Sequence, residues 1–226
     1  MKLYLLLNIG SIALPLLFSF HPKIQFHKEW KHLFPALIFT AIPFLIWDIW
    51  FTHAGFWGFN SAYLVGLDII GLPLEEWMFF ICIPYACLFT MHVLNKNLPS
   101  IKFTDLTTKI VSLLLIGTFL VLGIVFFDRS YTAVNYIFAS IVLALTWKFQ
   151  RQILNSYYVG YLVILLPFLI VNGILTGSYI EGEIVWYNNI ENLNYRISTI
   201  PIEDFTYAFS MLLLAKLLMS SLKKRN

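Results

Sequence analysis

Charge is scarce in this sequence. Asp, Glu, Lys and Arg make up only 12% of its 226 residues, about half the share usual in a soluble domain. That excludes an ordinary water-soluble globule, and the 59% apolar content excludes intrinsic disorder. Cysteine is nearly missing too. Cys82 and Cys87 lie in one apolar run, too few for a disulfide scaffold or a zinc site. The five histidines (His21, His27, His32, His53 and His92) lack the paired spacing that holds a metal. No glycine-rich dinucleotide fingerprint, P-loop or Gly-x-Ser-x-Gly elbow occurs, so neither metal nor cofactor is expected. The net charge of +3 is mild, and nucleic acid is not an expected partner.

What is present is a series of apolar stretches, each long enough to cross about 30 Å of hydrocarbon. They fall at roughly 3–20, 32–50, 72–94, 110–127, 131–149, 157–176 and 200–220. The first follows Lys2 like a signal peptide, but it runs on to Phe20 without a small-residue cleavage pattern and reads as a span. Seven spans place alternate loops on opposite sides. Twelve of the fifteen basic residues then share one side, and only Lys2, Arg129 and Arg196 occupy the other. The positive-inside rule makes the first side cytoplasmic, with the N-terminus outside and the C-terminus inside. The expected location is the plasma membrane, with lipid as a partner. Acidic residues sort oppositely: only Glu29 and Asp105 lie on the basic side.

The chain also repeats. Pro43-Phe44-Leu45-Ile46 returns as Pro167-Phe168-Leu169-Ile170, and Leu72-Pro73-Leu74-Glu75-Glu76-Trp77 returns as Ile200-Pro201-Ile202-Glu203-Asp204-Phe205. Tyr4 and Asn8 match Tyr131 and Asn135 more weakly, in the same order. The expected architecture is an all-α integral membrane protein of about seven transmembrane helices. Two parallel three-helix repeats, 1–109 and 131–226, are joined by a connector span at 110–130. Both acidic motifs then open helices on one membrane face.

A proline near the first helical position followed by acids has a plain explanation. The missing N–H costs nothing there, and carboxylates favour the positive helix end. Solvated helix-start acids would look the same. Three features favour function. The acid pairs occur twice at repeat-equivalent positions, aromatics follow each pair, and acids within spans are costly. Glu75, Glu76, Glu203 and Asp204 are therefore the candidate catalytic groups. Neighbouring helical residues point about 100° apart, so one acid of a pair can face a bundle interior while the other faces elsewhere. Asp48, beside Trp47 and Trp50, is placed to join the first pair, whereas the second copy has Asn172 there. The loop Trp57-Gly58-Phe59-Asn60-Ser61-Ala62-Tyr63-Leu64-Val65-Gly66 is polar-aromatic without Lys or Arg, and Trp186, Tyr187 and Asn188 lie in its counterpart. Singly, such aromatics are interfacial belt residues. Around carboxylates, Trp47, Trp57, Asn60, Tyr63, Trp77, Phe205 and Tyr207 are candidate substrate- or cation-stabilising groups.

The Pro-Leu-Glu-Glu-Trp motif, the Trp-x-Phe-Asn-x-x-Tyr-x-x-Gly loop before it and the second Pro-x-Glu-Asp resemble the membrane-embedded lycopene cyclases. In that family two small subunits, or two fused halves, close the ends of a linear carotenoid. The resemblance covers nearly the whole chain, with Asp204 where a second Glu is common. It implies a lycopene β-cyclase: redox-neutral, proton-initiated formation of β-ionone rings, with lycopene or a related linear carotenoid as substrate. Other carotenoid-pathway enzymes, or a second copy of the chain, are implied partners. The chemistry needs a proton donor, a water-poor pocket and a wall that tolerates positive charge. A desolvated carboxyl can supply the proton, aromatic faces attract a cation by about 2 kcal/mol when desolvated, and dryness protects it from capture by water.

Two other classes fit seven apolar helices. A retinal-binding photoreceptor or pump needs a lysine deep in a pocket, and Lys216 lies near the basic end of the last span. A proton-coupled transporter with parallel repeats would hold its acids near the bilayer midplane, not at helix starts.

Overall fold

A hydrocarbon environment leaves no water to satisfy backbone N–H and C=O groups, so a spanning chain forms helices. The computed structural model describes residues 2–225 and contains seven α-helices within them. They are α1 (Leu3–Phe18), α2 (Trp30–Ala54), α3 (Leu74–Asn97), α4 (Asp105–Val125), α5 (Ser130–Gln150), α6 (Gln152–Leu175) and α7 (Ile202–Arg225). Six are long and apolar enough to cross a membrane, while α1 at 16 residues is shorter. The protein is an all-α membrane bundle, as its sequence pattern implied. Large apolar side chains such as Leu17, Ile46, Leu166 and Phe149 point outward, the arrangement expected when lipid is the solvent.

Helix ends account for the differences from the apolar stretches. The α2 helix continues to Ala54 and stops at Gly55, whose φ of +72° needs no Cβ. Phe56 N–H then bonds back to Phe51 O at 3.0 Å, closing the helix end. At the starts of α3 and α7 the first residues of the expected spans are not helical. They form the second arms of two-residue hairpins. Strand β2 (Asp68–Ile69) pairs with β3 (Leu72–Pro73), and β5 (Arg196–Ile197) pairs with β6 (Ile200–Pro201), both antiparallel. Each proline closes a hairpin and hands over directly to a helix. The first turn, Ile70-Gly71, has φ of +53° and +79°, the double positive value that tight hairpins require. A third ladder, β1 (Trp57–Phe59) with β4 (Val185–Tyr187), ties the two hairpin-bearing loops together across one end of the bundle. Gly58 lies directly against the Trp186 indole in that ladder, where a Cβ would stand 2.4 Å from the ring.

The helices interlock. The α1 helix packs on α3, and α5 packs on α7 as well as on α4. The α2 helix lies against α7 more extensively than against α3, and α6 lies against α3 more than against α7. The far end of the bundle is fastened by the Lys223–Glu29 ion pair, by Asn155 donating to Asp105 at 2.7 Å, and by Gln150 bonding Ser220 and Ser221.

The α4 and α5 helices pack closely at Gly123. A Cβ added at Gly123 would stand 2.6 Å from Ile137 Cγ1 and 3.2 Å from the Ile137 backbone nitrogen. Overpacking of this kind costs about 1–3 kcal/mol. Gly123→Leu is expected to lower the thermal unfolding midpoint in detergent, measured by circular dichroism, while Gly117→Leu, which meets nothing within 4 Å, leaves it in place.

Candidate functional site

Both acid pairs lie in the first turn of their helices, Glu75-Glu76 on α3 and Glu203-Asp204 on α7, and all four are buried. The two members of each pair have different surroundings. Glu75 turns toward the loop before it, where its Oε1 accepts from Val65 N–H at 2.6 Å while Asn8 Nδ2 donates to its backbone oxygen at 2.8 Å. Glu203 is held alike. Its Oε1 accepts from Leu193 N–H at 2.8 Å and from Thr132 Oγ1 at 2.7 Å, and Asn135 Nδ2 donates to its backbone oxygen at 2.6 Å. Neither of these glutamates lines a cavity.

The second member of each pair does. Glu76 and Asp204 border one cavity of about 290 Å³, and Asp48 of α2 joins them. Tyr4 of α1 donates to Glu76, and the Asp48 carboxyl borders the same end of the cavity. Asp48 is fixed in turn by Trp57 Nε1–H at 2.6 Å. Asp204 is surrounded by three neutral donors: Tyr131 hydroxyl at 2.6 Å, Asn172 Nδ2 at 2.8 Å and Tyr187 hydroxyl at 3.0 Å. Burial, and then the Asp204 carboxyl beside it, holds the Tyr187 phenol well above its ordinary pKa, so it remains a proton donor. No Lys or Arg lines this cavity among the described residues. The hydrogen bonds that the cavity carboxyl groups accept come from neutral groups, and the Asp48 Oδ2 accepts none.

The aromatic wall is continuous. The Tyr207 ring lies 4.9 Å from Phe44 and 5.0 Å from Trp47, Trp57 lies 5.0 Å from Tyr131, and Tyr131 stacks on Tyr187 at 5.9 Å. Beyond the acids the lining is almost wholly apolar and follows α1, α3, α6 and α7 away from the hairpin end.

Of the residues singled out in the sequence, Asp48, Trp57, Glu76, Asp204 and Tyr207 meet on the cavity. Trp47 stands behind Tyr207 and Trp57 in a second layer. The others build the frame. Asn60 caps a turn by accepting from Ala62 N–H, Tyr63 donates to Glu181 O at 2.5 Å, Trp77 pins the first hairpin through Ile69 O, and Phe205 packs on Phe168 at 4.9 Å. Sequence reasoning passed over the hydrogen-bond donors. Tyr4 and Tyr131 registered only as repeat matches, Tyr187 only as a belt aromatic, and Asn172 only as a lost acid. Lys216 does not border the cavity, so no lysine is placed to form a Schiff base there.

Paired contacts recur at a near-constant spacing. Tyr4 to Glu76 corresponds to Tyr131 to Asp204, Asn8 to Glu75 O corresponds to Asn135 to Glu203 O, and Val65 to Glu75 corresponds to Leu193 to Glu203. The copies depart at Asp48 against Asn172, and at Thr132, whose bond to Glu203 has Leu5 in the corresponding place.

These features define a membrane-embedded helical protein in which three carboxyl groups share one largely apolar, aromatic cavity. The sequence profile of the lycopene cyclase family matches residues 1–94 and 128–222, and the chain belongs to that family. It is therefore an enzyme of carotenoid cyclisation, with a carotenoid as substrate. The interval between the two matched regions contains all of α4. Neither the curated proteins nor the solved structures contain a match to the chain.

The clamping geometry of Glu75 and Glu203 is testable without substrate. An unsatisfied buried N–H costs about 1–3 kcal/mol. Glu75→Ala is expected to speed amide hydrogen exchange across residues 60–68, and Glu203→Ala across 188–197. Glu75→Gln, which keeps an oxygen for Val65 N–H, should change exchange little.

Proposed function

We propose that the protein is a lycopene β-cyclase in which Glu76, Asp48 and Asp204 carry the chemistry. The reading rests on one observation: these three carboxyl groups converge at one end of an otherwise apolar, aromatic-walled cavity in which they meet only neutral partners. The Glu76–Asp48 pair holds the proton that is delivered to the terminal double bond of the linear carotenoid. The resulting cation is captured by the neighbouring double bond, which closes the ring and moves the positive charge inward. Loss of one ring proton to a carboxylate then leaves the β-ionone double bond. One proton enters and one leaves, so no redox partner is required.

Asp204 suits the basic role. With three donors on its two oxygens it is solvated as an anion, and it faces the cavity where positive charge develops. Asn172 replaces an acid at the position equivalent to Asp48, which gives Asp204 a donor where Glu76 has a second carboxyl. The departure from repeat symmetry thus separates acid from base. Trp57 and Tyr207 present ring faces to the cation, with Trp47 behind them. Glu75 and Glu203 act as loop clamps that hold their neighbours in register. The chain is organised as two halves, 1–109 and 131–226, with 110–130 as a connector, and it is oriented with the acids near the outer face of the plasma membrane and the C-terminus in the cytoplasm.

Expression in a lycopene-accumulating host, followed by separation of the pigments, tests the reaction. Cyclic carotenoid is expected with the native chain, and unchanged lycopene beside well-expressed protein rejects the function. Glu76→Gln and Asp204→Asn are each expected to lower turnover by about 10²–10⁴-fold, the usual contribution of a positioned acid or base. Glu75→Gln should retain most activity. Equal losses at Glu75 and Glu76 would reject the division of roles.

A further inference from the structure

A second pocket, of about 200 Å³, lies at the opposite end of the bundle from the acids, where the start of α4, the end of α5 and the start of α6 come together. The junction is loosely packed: α4 lies along α5, but both touch α6 only sparsely. It is built partly from α4, the helix between the two regions that the family profile matches, to which the proposed reaction assigns nothing. The lining carries more donors than partners. Thr108 is 1% exposed and its Oγ1 has no hydrogen-bond partner. The Lys109 ammonium, the Arg151 guanidinium and the Trp147 indole N–H make no hydrogen bond or ion pair among the described residues. Lys109 follows Asp105 by four residues, the spacing at which an acid and a base on one helix readily pair, yet no ion pair joins them. Asp105 is held instead by Asn155 Nδ2, which donates to its Oδ1 at 2.7 Å. Two cations against one carboxylate leave the pocket with a net positive charge, and the positive end of α4 adds to it.

We propose that this pocket binds the headgroup of an anionic glycerophospholipid, with the phosphodiester among Thr108, Lys109, Trp147 and Arg151 and an acyl chain along α4. The proposal does not depend on the reaction. All three helices are long and apolar enough to cross a membrane, so a pocket at their ends lies at the level of the lipid headgroups. The chemistry matches group by group. A phosphodiester carries a single negative charge, and its two free oxygens accept several hydrogen bonds. A guanidinium binds phosphate through planar paired donors, and an ammonium binds it as a point charge. An indole N–H suits this depth, where the ring is in apolar surroundings and its edge is wet. The Thr108 hydroxyl gains the partner that the protein does not give it. Basic pockets between spanning helices hold such headgroups. From Leu106 in the pocket wall, Ile110, Leu113 and Leu114 continue along one face of α4 as an exposed apolar stripe. That stripe favours a lipid over a water-soluble phosphate ester, because only a lipid has a chain to lay on it. Bound there, the lipid bridges α4 and α5 to α6 where the protein itself provides few contacts.

Native mass spectrometry of the full chain in detergent, titrated with phosphatidylglycerol or phosphatidylcholine, reads the site directly. The native chain is expected to retain one phosphatidylglycerol about tenfold or more tightly than phosphatidylcholine. The double variant Lys109→Gln/Arg151→Gln is expected to lose that preference. Lys102→Gln/Lys148→Gln, which removes the same charge from residues outside the pocket, is expected to keep it. Equal loss in both double variants overturns the proposal, since binding is then a diffuse attraction to basic residues. Equal retention of the two lipids by the native chain overturns it as well. The deacylated headgroup, glycerophosphoglycerol, is expected not to displace the lipid at equal concentration, and displacement overturns the assignment to a lipid. Thr108→Val keeps the side chain's shape without its hydroxyl. It is expected to weaken phosphatidylglycerol binding severalfold while the thermal unfolding midpoint without lipid stays in place, because the hydroxyl has no partner to lose.

Discussion

Several buried carboxyl groups in an apolar bundle, with no Lys or Arg among the described residues that line their cavity, are the constraint around which this structure is arranged. A charge in hydrocarbon is costly unless partners are supplied. A lysine or arginine would be the simplest partner, but a fixed cation would also repel any positive charge that developed in the cavity. The protein uses tyrosine, tryptophan and asparagine side chains and backbone N–H groups instead. Each donor has to come from somewhere, and the fold supplies them. The first turns of α1 and α5 bring Tyr4 and Tyr131, the β1–β4 ladder brings Trp57 and Tyr187, and α6 brings Asn172. The small strands at the hairpin end are best understood as donor-placing devices, since their ladders are too short to stabilise much themselves.

In the proposed reaction, repetition and a departure from it divide the site into two jobs. Equivalent tyrosines, asparagines and backbone amides treat the two halves alike, so both helix starts are held in the same way. The difference between Asp48 and Asn172 then acts locally. One side of the cavity has two carboxyl groups, Asp48 and Glu76, and the other has one, Asp204, surrounded by donors. A near-symmetric frame would then carry the proposed asymmetric chemistry through the difference between Asp48 and Asn172.

The helices and the acids were legible in the sequence because both have strong signatures: long apolar runs, and charges where charges are costly. The helix starts at 72 and 200 were misread by two residues, since an apolar residue followed by proline looks the same at a strand end and at a helix start. Glu75 could not be told from Glu76. Adjacent residues share every property that a sequence displays and differ only in the direction they face, which the loop amides of Val65 and Leu193 determine. Tyr187 was hidden for a related reason. An aromatic near the end of a span is ordinarily an interfacial residue, and only the ladder to Trp57 turns it toward Asp204. Asn172 was visible as a missing acid, but its value as a donor depends on a partner 32 residues away.

The exchange of second helices, with α2 against α7 and α6 against α3, bears on how the protein is made. A chain inserted into the bilayer from its N-terminus completes α2 and α3 long before α7 is synthesised. Until then, α2 lacks its main neighbour, and Asp48 and Glu76 lack the wall that encloses them. Assembly must wait for the last helix. Before α7 inserts, the acids sit at the edge of a half-built bundle, and the cavity lacks the wall that α7 contributes. Enclosure of the acids is thus acquired only when α7 joins the helices before it.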